Sequence, residues 1–355
     1  MKALIEIKNG LIHAHIQDQG LISEVNTPDD RIDSVSAVLA KMGPALIGYY
    51  LPHGGPFINR TVSLIDAQVL DSIKKSVRFM PEYNDLMLKI IKLMSSDIES
   101  AMHLVLCDSA YFTGLPDVSG TYALSYDFKK QGIKKYGRDG LLHLWAASEA
   151  QKQDWGDKKI TVVLGENTNI AAIRGTSPVE TSAGFTVIEG IPSCVSCGDI
   201  DPTIMFQLHQ DGLSFNKINE LFSHESGFSA LVGQKITIAQ MLSKRNDKKI
   251  AKAVDVYVYD ILKSIGSFIS VLGGISSIFF LLPDRGPYKQ LLSEIIGGLD
   301  FLGVKCRIIK DKDRGLQRIS TSASTTGVFV TDTPRIEVLF ELMDALKERD
   351  MKNEK

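Results

Sequence analysis

The sequence predicts an α/β protein of two domains, and three observations carry that prediction. Segments with the alternation or β-branched run of a strand and segments with helical apolar spacing follow one another through both halves of the chain. The chain has 355 residues, whereas a single core seldom keeps growing beyond about 250–300 residues. Its most apolar stretch, Ile261 to Leu282, is broken by Lys263, glycines and serines, so it predicts a buried helix running into a strand and not a membrane span. Two domains in turn imply a cleft.

The elements follow in order. Met1–Ile16 reads as one or two strands joined at Asn9-Gly10, a strong hairpin signal. Ser34–Met42 predicts a short helix and Ala45–Leu51 a strand, which leads into the loop Pro52-His53-Gly54-Gly55-Pro56, where two glycines allow close backbone approach. Ala67–Ser76 and Asn84–Ser95 have helical spacing, and Ala101–Cys107 is a short apolar strand ending at Asp108, an acid placed at a cleft edge. Lys159–Leu164 and Asn169–Ile173 predict a hairpin. Phe215–Leu221, Ile236–Leu242 and Lys249–Ile269 predict helices, the last with an apolar face at Ala253, Val256, Val258, Ile261, Leu262 and Ile265. Ser277–Leu282, Arg307–Ile309 and Val328–Val330 predict strands, and Arg335–Glu348 a C-terminal amphipathic helix.

Composition excludes more than it selects. With 40 Lys+Arg against 42 Asp+Glu, no global charge favours nucleic acid or an anionic membrane. The N-terminus MKALIEIKNG lacks the apolar stretch and cleavage site of a signal peptide, so a cytoplasmic protein is expected. The four cysteines are too scattered for a disulfide framework. Cys194 and Cys197 form a C-x-x-C pair, which suits either a redox or metal role or two ordinary loop thiols, and no metal site is assigned.

The run Thr176 to Pro202, TSPVETSAGFTVIEGIPSCVSCGDIDP, resembles the acetate kinase segments DTSMGFTPLEG and MGTRSGDIDP, with the same spacing between the halves. The likeness extends along the chain. His53-Gly54-Gly55 is similar to VVHGG, Cys107 to Phe112 to FDTAFH, Tyr126 to Gly140 to a stretch ending RRYGFHG, Thr161 to Gly165 to the strand into HLGNG, and Ala253 to Tyr259 to ALDVFVY. This resemblance implies two ribonuclease-H-like domains of the actin-like ATPase type with an interdomain cleft: residues 1–112 plus 336–355, and residues 113–335. It also implies a homodimer, formed through the second domain, and transfer of the γ-phosphoryl group of ATP to a short carboxylate with Mg²⁺, chemistry that rests on positioning and charge neutralisation.

Carried over residue by residue, the resemblance leaves Asp108 as the retained catalytic side chain, beside His53, Gly54 and Gly55. Tyr50, Asp139, Val163 and Ser196 stand at the family's arginine, histidine, histidine and arginine positions, and Arg335 stands where a glutamate helps hold Mg²⁺. Gly165, Glu166 and Asn167 replace the phosphate-cradling end of HLGNG, Leu281-Leu282-Pro283-Asp284 replaces GGIGEN, and Arg138, Gly198 and Asp199 complete the cleft candidates. Asp108 either acts in the cleft or bonds local amides. Asp108, Asp139 and Glu166 either bind a metal or share protons in the cleft, or pair with Lys8 or Arg138. Because loss of one preorganised donor costs about 2.7–4 kcal/mol of barrier, the expectation is a catalytically degenerate homologue that binds a metabolite or protein. Its alternatives are an active carboxylate kinase with Asp108 as base and Lys8, Arg138 or Arg335 as substitute cations, and a structural subunit of a complex.

Overall fold

The structure, a computed structural model, describes residues 1–186, 188–283, 285–307, 315–332 and 334–353. The chain divides into two compact units. The first comprises Met1–Thr113, Asp139–Trp145 and the residues from Pro334 onward, and the second Gly114–Arg138 with Ala146–Thr333. Each unit is built on one six-stranded mixed sheet.

The first sheet holds β1 (Lys2–Lys8), β2 (Leu11–Asp18), β3 (Leu21–Pro28), β4 (Leu46–Leu51), β5 (Val62–Leu64) and β6 (Met102–Cys107), in the order β3-β2-β1-β4-β6-β5. Asn9 and Gly10, both at positive φ, make the tight turn that pairs Lys8 with Leu11. β1, β4 and β6 run parallel, with Ile5 beside Tyr49 and Tyr49 beside Val105. Their fully buried Ile5, Ile47, Tyr49 and Val105 pack with Met87, Ile90 and Ile91 of the helix Pro81–Asp97. On the opposite side, Leu4, Leu104 and Leu106 pack with Leu339, Phe340 and Met343 of the C-terminal helix Arg335–Asn353.

The second sheet holds β7 (Lys158–Val163), β8 (Asn169–Arg174), β9 (Ser177–Thr181), β10 (Ser277–Leu281), β11 (Gln317–Arg318) and β12 (Gly327–Thr331), in the order β11-β12-β10-β7-β8-β9. The helix Lys248–Leu272 covers it with Val254, Tyr257, Ile261 and Ile265. Asp247 caps that helix by accepting from the amides of Lys249 and Ile250, and Gly273 closes it in the left-handed conformation.

Several elements differ from expectation for identifiable reasons. β3 is an edge strand with almost every side chain in solvent, so it carries no apolar alternation to recognise. The helix Gly140–Lys152 is buried on several sides through Leu141, Leu142, Trp145, Ala146, Ala147 and Ala150, which erases the periodic signal of an amphipathic helix. Helices Thr203–Gln210 and Arg285–Gly297 and strand β9 also stand where none was expected. Of the expected strand at Arg307–Ile309, Arg307 lies outside any strand and residues 308 and 309 fall outside the described residues, as does Asp284. Among the described residues no helix is long and apolar enough to cross a membrane.

Candidate active site

In open α/β sheets ligands collect at the carboxyl ends of parallel strands. In the first unit those ends bring together Glu6 on β1, Tyr50 on β4 and Asp108 just past β6. Tyr83 ties two of them: its hydroxyl donates to the Tyr50 carbonyl at 2.9 Å and accepts from the Ile7 amide at 3.3 Å. Tyr49 points into the core instead, where its hydroxyl bonds to His103 at 2.8 Å.

Asp108 is 3% exposed, and its carboxylate accepts from the Leu141 amide at 3.1 Å, at the first turn of the helix that starts at Gly140. That helix can approach because residue 140 has no side chain: a Cβ there would stand 2.3 Å from the Asp108 carbonyl oxygen and 2.8 Å from the Cβ of Tyr111. Asp139, at φ 53°, supplies the sharp entry into the helix, and its carbonyl accepts from the His143 amide. The loop before it is clamped to the same strand end. The Gly54 amide donates to Ser109 Oγ at 2.9 Å, the Gly55 amide donates to His53 Nδ1 at 3.0 Å, and the His53 ring lies flat on Phe79 at 5.3 Å. A Cβ at Gly54 would meet Cys107 Sγ at 2.6 Å.

The feature that residue-by-residue comparison missed is the course of Arg335. From the first turn of the C-terminal helix its guanidinium lies over the Tyr50 ring, 4.2 Å from the centroid, and Nη1 donates to Glu6 Oε2 at 2.7 Å. Glu6 Oε1 meets His15 Nε2 at 3.0 Å. Burial alone would raise the Glu6 carboxyl, but His15 and Arg335 outweigh it and hold the group down at about 2. Burial opposes the charge on Arg335, and the interactions with Tyr50 and Glu6 raise its basicity above the ordinary guanidinium value. Tyr50 is kept neutral, chiefly by burial and then by the charge of Asp108, with Asp139 acting in the same sense. A cation is therefore delivered to the position where the resemblance predicts an arginine, from an element 285 residues further along the chain (335 − 50).

In the second unit, Gly165 follows β7 at φ 157°, with nothing within 4 Å of where a Cβ would sit, so the backbone is open there to close approach. Glu166 spends its carboxylate on the Ile238 amide at 3.0 Å, and Asn167 is the exposed residue after it. Val163 is buried opposite Asn169, whose side-chain amide donates to the Arg138 carbonyl. Ser196 is buried in a turn, its amide and hydroxyl both bonded to Ser193 Oγ at 2.8 Å. Gly198 and Asp199 clasp Gly190: Asp199 Oδ1 accepts from its amide at 2.8 Å, and a Cβ at residue 198 would meet its carbonyl oxygen at 2.7 Å. These residues hold the loop in shape. Burial, then Glu166, raises the Cys194 thiol, and burial raises Cys197, which favours the protonated thiol in both. Lys8 stands in solvent at the first hairpin.

Two six-stranded mixed sheets flanked by helices, one per unit, define the actin-like, ribonuclease-H-like class of α/β protein. Within that class the chain belongs to the acetokinase family, whose model matches residues 13–339. An acetate kinase of Clostridium botulinum (strain Okra / Type B1) is 30% identical over 312 residues, covering 85% of this chain and 78% of that protein. One of Methanosarcina mazei is 31% identical over 297 residues, covering 81% and 72%. Among solved structures, an acetate kinase from Entamoeba histolytica superposes with a TM-score of 0.86 at 18% identity, covering 97% of this chain and 98% of that one. The Porphyromonas gingivalis acetate kinase gives 0.83 at 19% identity, covering 93% and 95%. These two speak to the fold.

The expectation of a catalytically degenerate homologue is corrected by these findings. The proteins that match over 85% of the chain are named acetate kinase. The substitutions at Tyr50, Asp139, Val163, Ser196 and Arg335 do not by themselves establish loss of function, because charge at a site is set by where side chains end and not by which position they start from. Arg335 ends at Tyr50.

Proposed function

We propose that this protein is an ATP-dependent carboxylate kinase of the acetate kinase type. An oxygen of a short aliphatic carboxylate attacks the γ-phosphorus of ATP, the bond to the β,γ-bridging oxygen breaks, and an acyl phosphate and ADP result. The observation that carries this reading is the guanidinium of Arg335 held over Tyr50 by Glu6, beside a retained, anchored Asp108. Such a transfer needs groups that position reactants and neutralise charge on the phosphoryl oxygens, and a fixed guanidinium does both. The acceptor is already ionised at neutral pH, so no proton has to be removed from it. Asp108 would offer a hard oxygen donor to the divalent ion that accompanies ATP, with Asp139 as the neighbouring acid. The ion neutralises phosphate charge when bound. Gly165 leaves backbone room for a phosphate after β7. With this reading goes a cytoplasmic homodimer, which the sequence resemblance implies and which two-fold symmetry makes common.

Purified protein incubated with ATP, Mg²⁺ and acetate, propionate or butyrate, with hydroxylamine to trap acyl phosphate, tests the proposal. ATP-dependent acyl hydroxamate is expected with at least one acid. A folded protein yielding none with all three would overturn it. A monomeric mass by light scattering at tens of micromolar would overturn the dimer.

A further inference from the structure

We propose that His13, His15 and Glu24 form a binding site for a dication of the zinc type on the first sheet. His13 and His15 are two apart on β2, which puts both imidazoles on one face of the sheet. Their rings stand near parallel, 6.2 Å apart. The flanking strands supply acids in register on that face: Glu24 of β3 opposite His15 and Glu6 of β1 opposite His13. One ligand atom each from His13, His15 and Glu24 lies within 4.8 Å of the others. Bonds of about 2.0–2.2 Å in tetrahedral geometry place ligand atoms roughly 3.3–3.6 Å apart, so the wider separations close by at most about 1.5 Å and the 2.6 Å His13–Glu24 contact opens by about 1 Å, which side-chain torsions can supply.

The hydrogen bonding leaves a nitrogen available to an ion. His13 Nε2 faces the Lys8 carbonyl at 3.3 Å, a partner that can only accept, so Nε2 carries a proton and Nδ1 is the nitrogen on the side of the acid. Nδ1 stands 2.6 Å from Glu24 Oε1. A proton joins two atoms at this distance, and a metal ion would bind by displacing that proton as the two part by roughly 1 Å. On His15 the Nε2 proton goes to Glu6, the carboxylate–histidine pairing that orients metal-ligating imidazoles and leaves the other ring nitrogen to bind. Two imidazoles with one carboxylate suit zinc and leave a fourth position for water. The side chain of Glu24 is 42% exposed, so an ion can enter from solvent.

Chelator-treated full-length protein titrated calorimetrically with ZnCl₂, and with CoCl₂ followed by visible absorption, decides the matter. Expected are one ion per chain at roughly micromolar affinity or tighter and a tetrahedral Co²⁺ spectrum. Binding should weaken at least about 10²-fold in His13→Gln and in Glu24→Gln. These two residues are more exposed than His15, so their variants keep the test alive if His15→Gln fails to fold. Absence of stoichiometric binding, which would leave only an imidazolium–carboxylate pair, overturns the proposal. So does binding unchanged in both variants, which would place the ion elsewhere.

Discussion

Replacing Arg335 by methionine keeps much of the side chain's length and removes its charge, leaving Glu6 with His15 as its remaining side-chain partner. The Glu6 side chain is 11% exposed and that of Arg335 31% exposed, so the pair is only partly desolvated. Breaking a fully buried pair costs about 3–5 kcal/mol. A charge-assisted bond is worth about 1.5–3 kcal/mol, and a partly exposed cation–π contact about 1. A loss of about 2–3 kcal/mol is therefore expected in urea unfolding, as a lower midpoint at unchanged slope. The titration of Glu6 gives the same scale independently. Its carboxyl sits at about 2 instead of 4.5. At ~1.4 kcal/mol per tenfold this amounts to roughly 3 kcal/mol, shared between His15 and Arg335. Because the folded value is depressed, that contribution is present in full above pH 4.5 and is lost as pH falls toward 2. Part of this acid sensitivity, the share due to Arg335 and not to His15, should disappear in Arg335→Met. Adding Glu6→Gln removes the stranded charge and should recover at least half of the lost stability, while acyl phosphate formation stays about 10²-fold or more below that of the parent. A single variant costing under about 0.5 kcal/mol, or a double variant whose cost equals the sum of the two singles, would refute the pairing. Activity of Arg335→Met within twofold of the parent would refute the substitute-cation role.

Three further outcomes follow from the same geometry. Gly140→Ala should lower both stability, by about 1–3 kcal/mol, and turnover, because its Cβ would stand 2.3 Å from backbone at Asp108; wild-type kcat in that variant would show that Asp108 tolerates displacement. Asp108→Asn, which can still accept from Leu141, should reduce kcat by at least about 10²-fold with a melting temperature near that of the parent, so a fall in melting temperature matching the loss of activity would assign it a structural role. His143 is fully buried, and burial pushes its imidazole down to about 3 from 6.5, so it folds neutral. Stability should therefore fall as pH drops from about 6.5 toward 3, and His143→Phe should flatten that limb of the Tm–pH curve; an unchanged limb would mean that His143 is not the group titrating.

Sequence pattern shows what is local and periodic, and this molecule separates that from what is not. The Asn9-Gly10 hairpin, the helix Ala67–Ser76 and the strands ending at Leu51 and Cys107 were legible because turn chemistry and apolar runs are written in adjacent residues. Asp108 and the His53–Gly55 loop were legible through resemblance, and the structure ties both to one strand end through the Gly54 amide on Ser109. Arg335 was legible as one of three candidate substitute cations, but not in where its side chain ends. Position alone put a cation where an acid was expected, and only the first turn of the C-terminal helix, packed against β1, β4 and β6 by Leu339 and Phe340, brings that cation back to Glu6. The metal site escaped for a related reason. His13-x-His15 can be seen in the sequence, but its acid comes from β3, an edge strand whose exposed side chains erase the alternation that would announce it. Both omissions have one physical cause: a site's charge pattern is assembled from side chains far apart in sequence, across strands and helix ends whose register single-chain periodicity does not encode. Counting substituted positions is a weak account of such a site, because a cation reaching in from elsewhere can do the same electrostatic work as one attached in place.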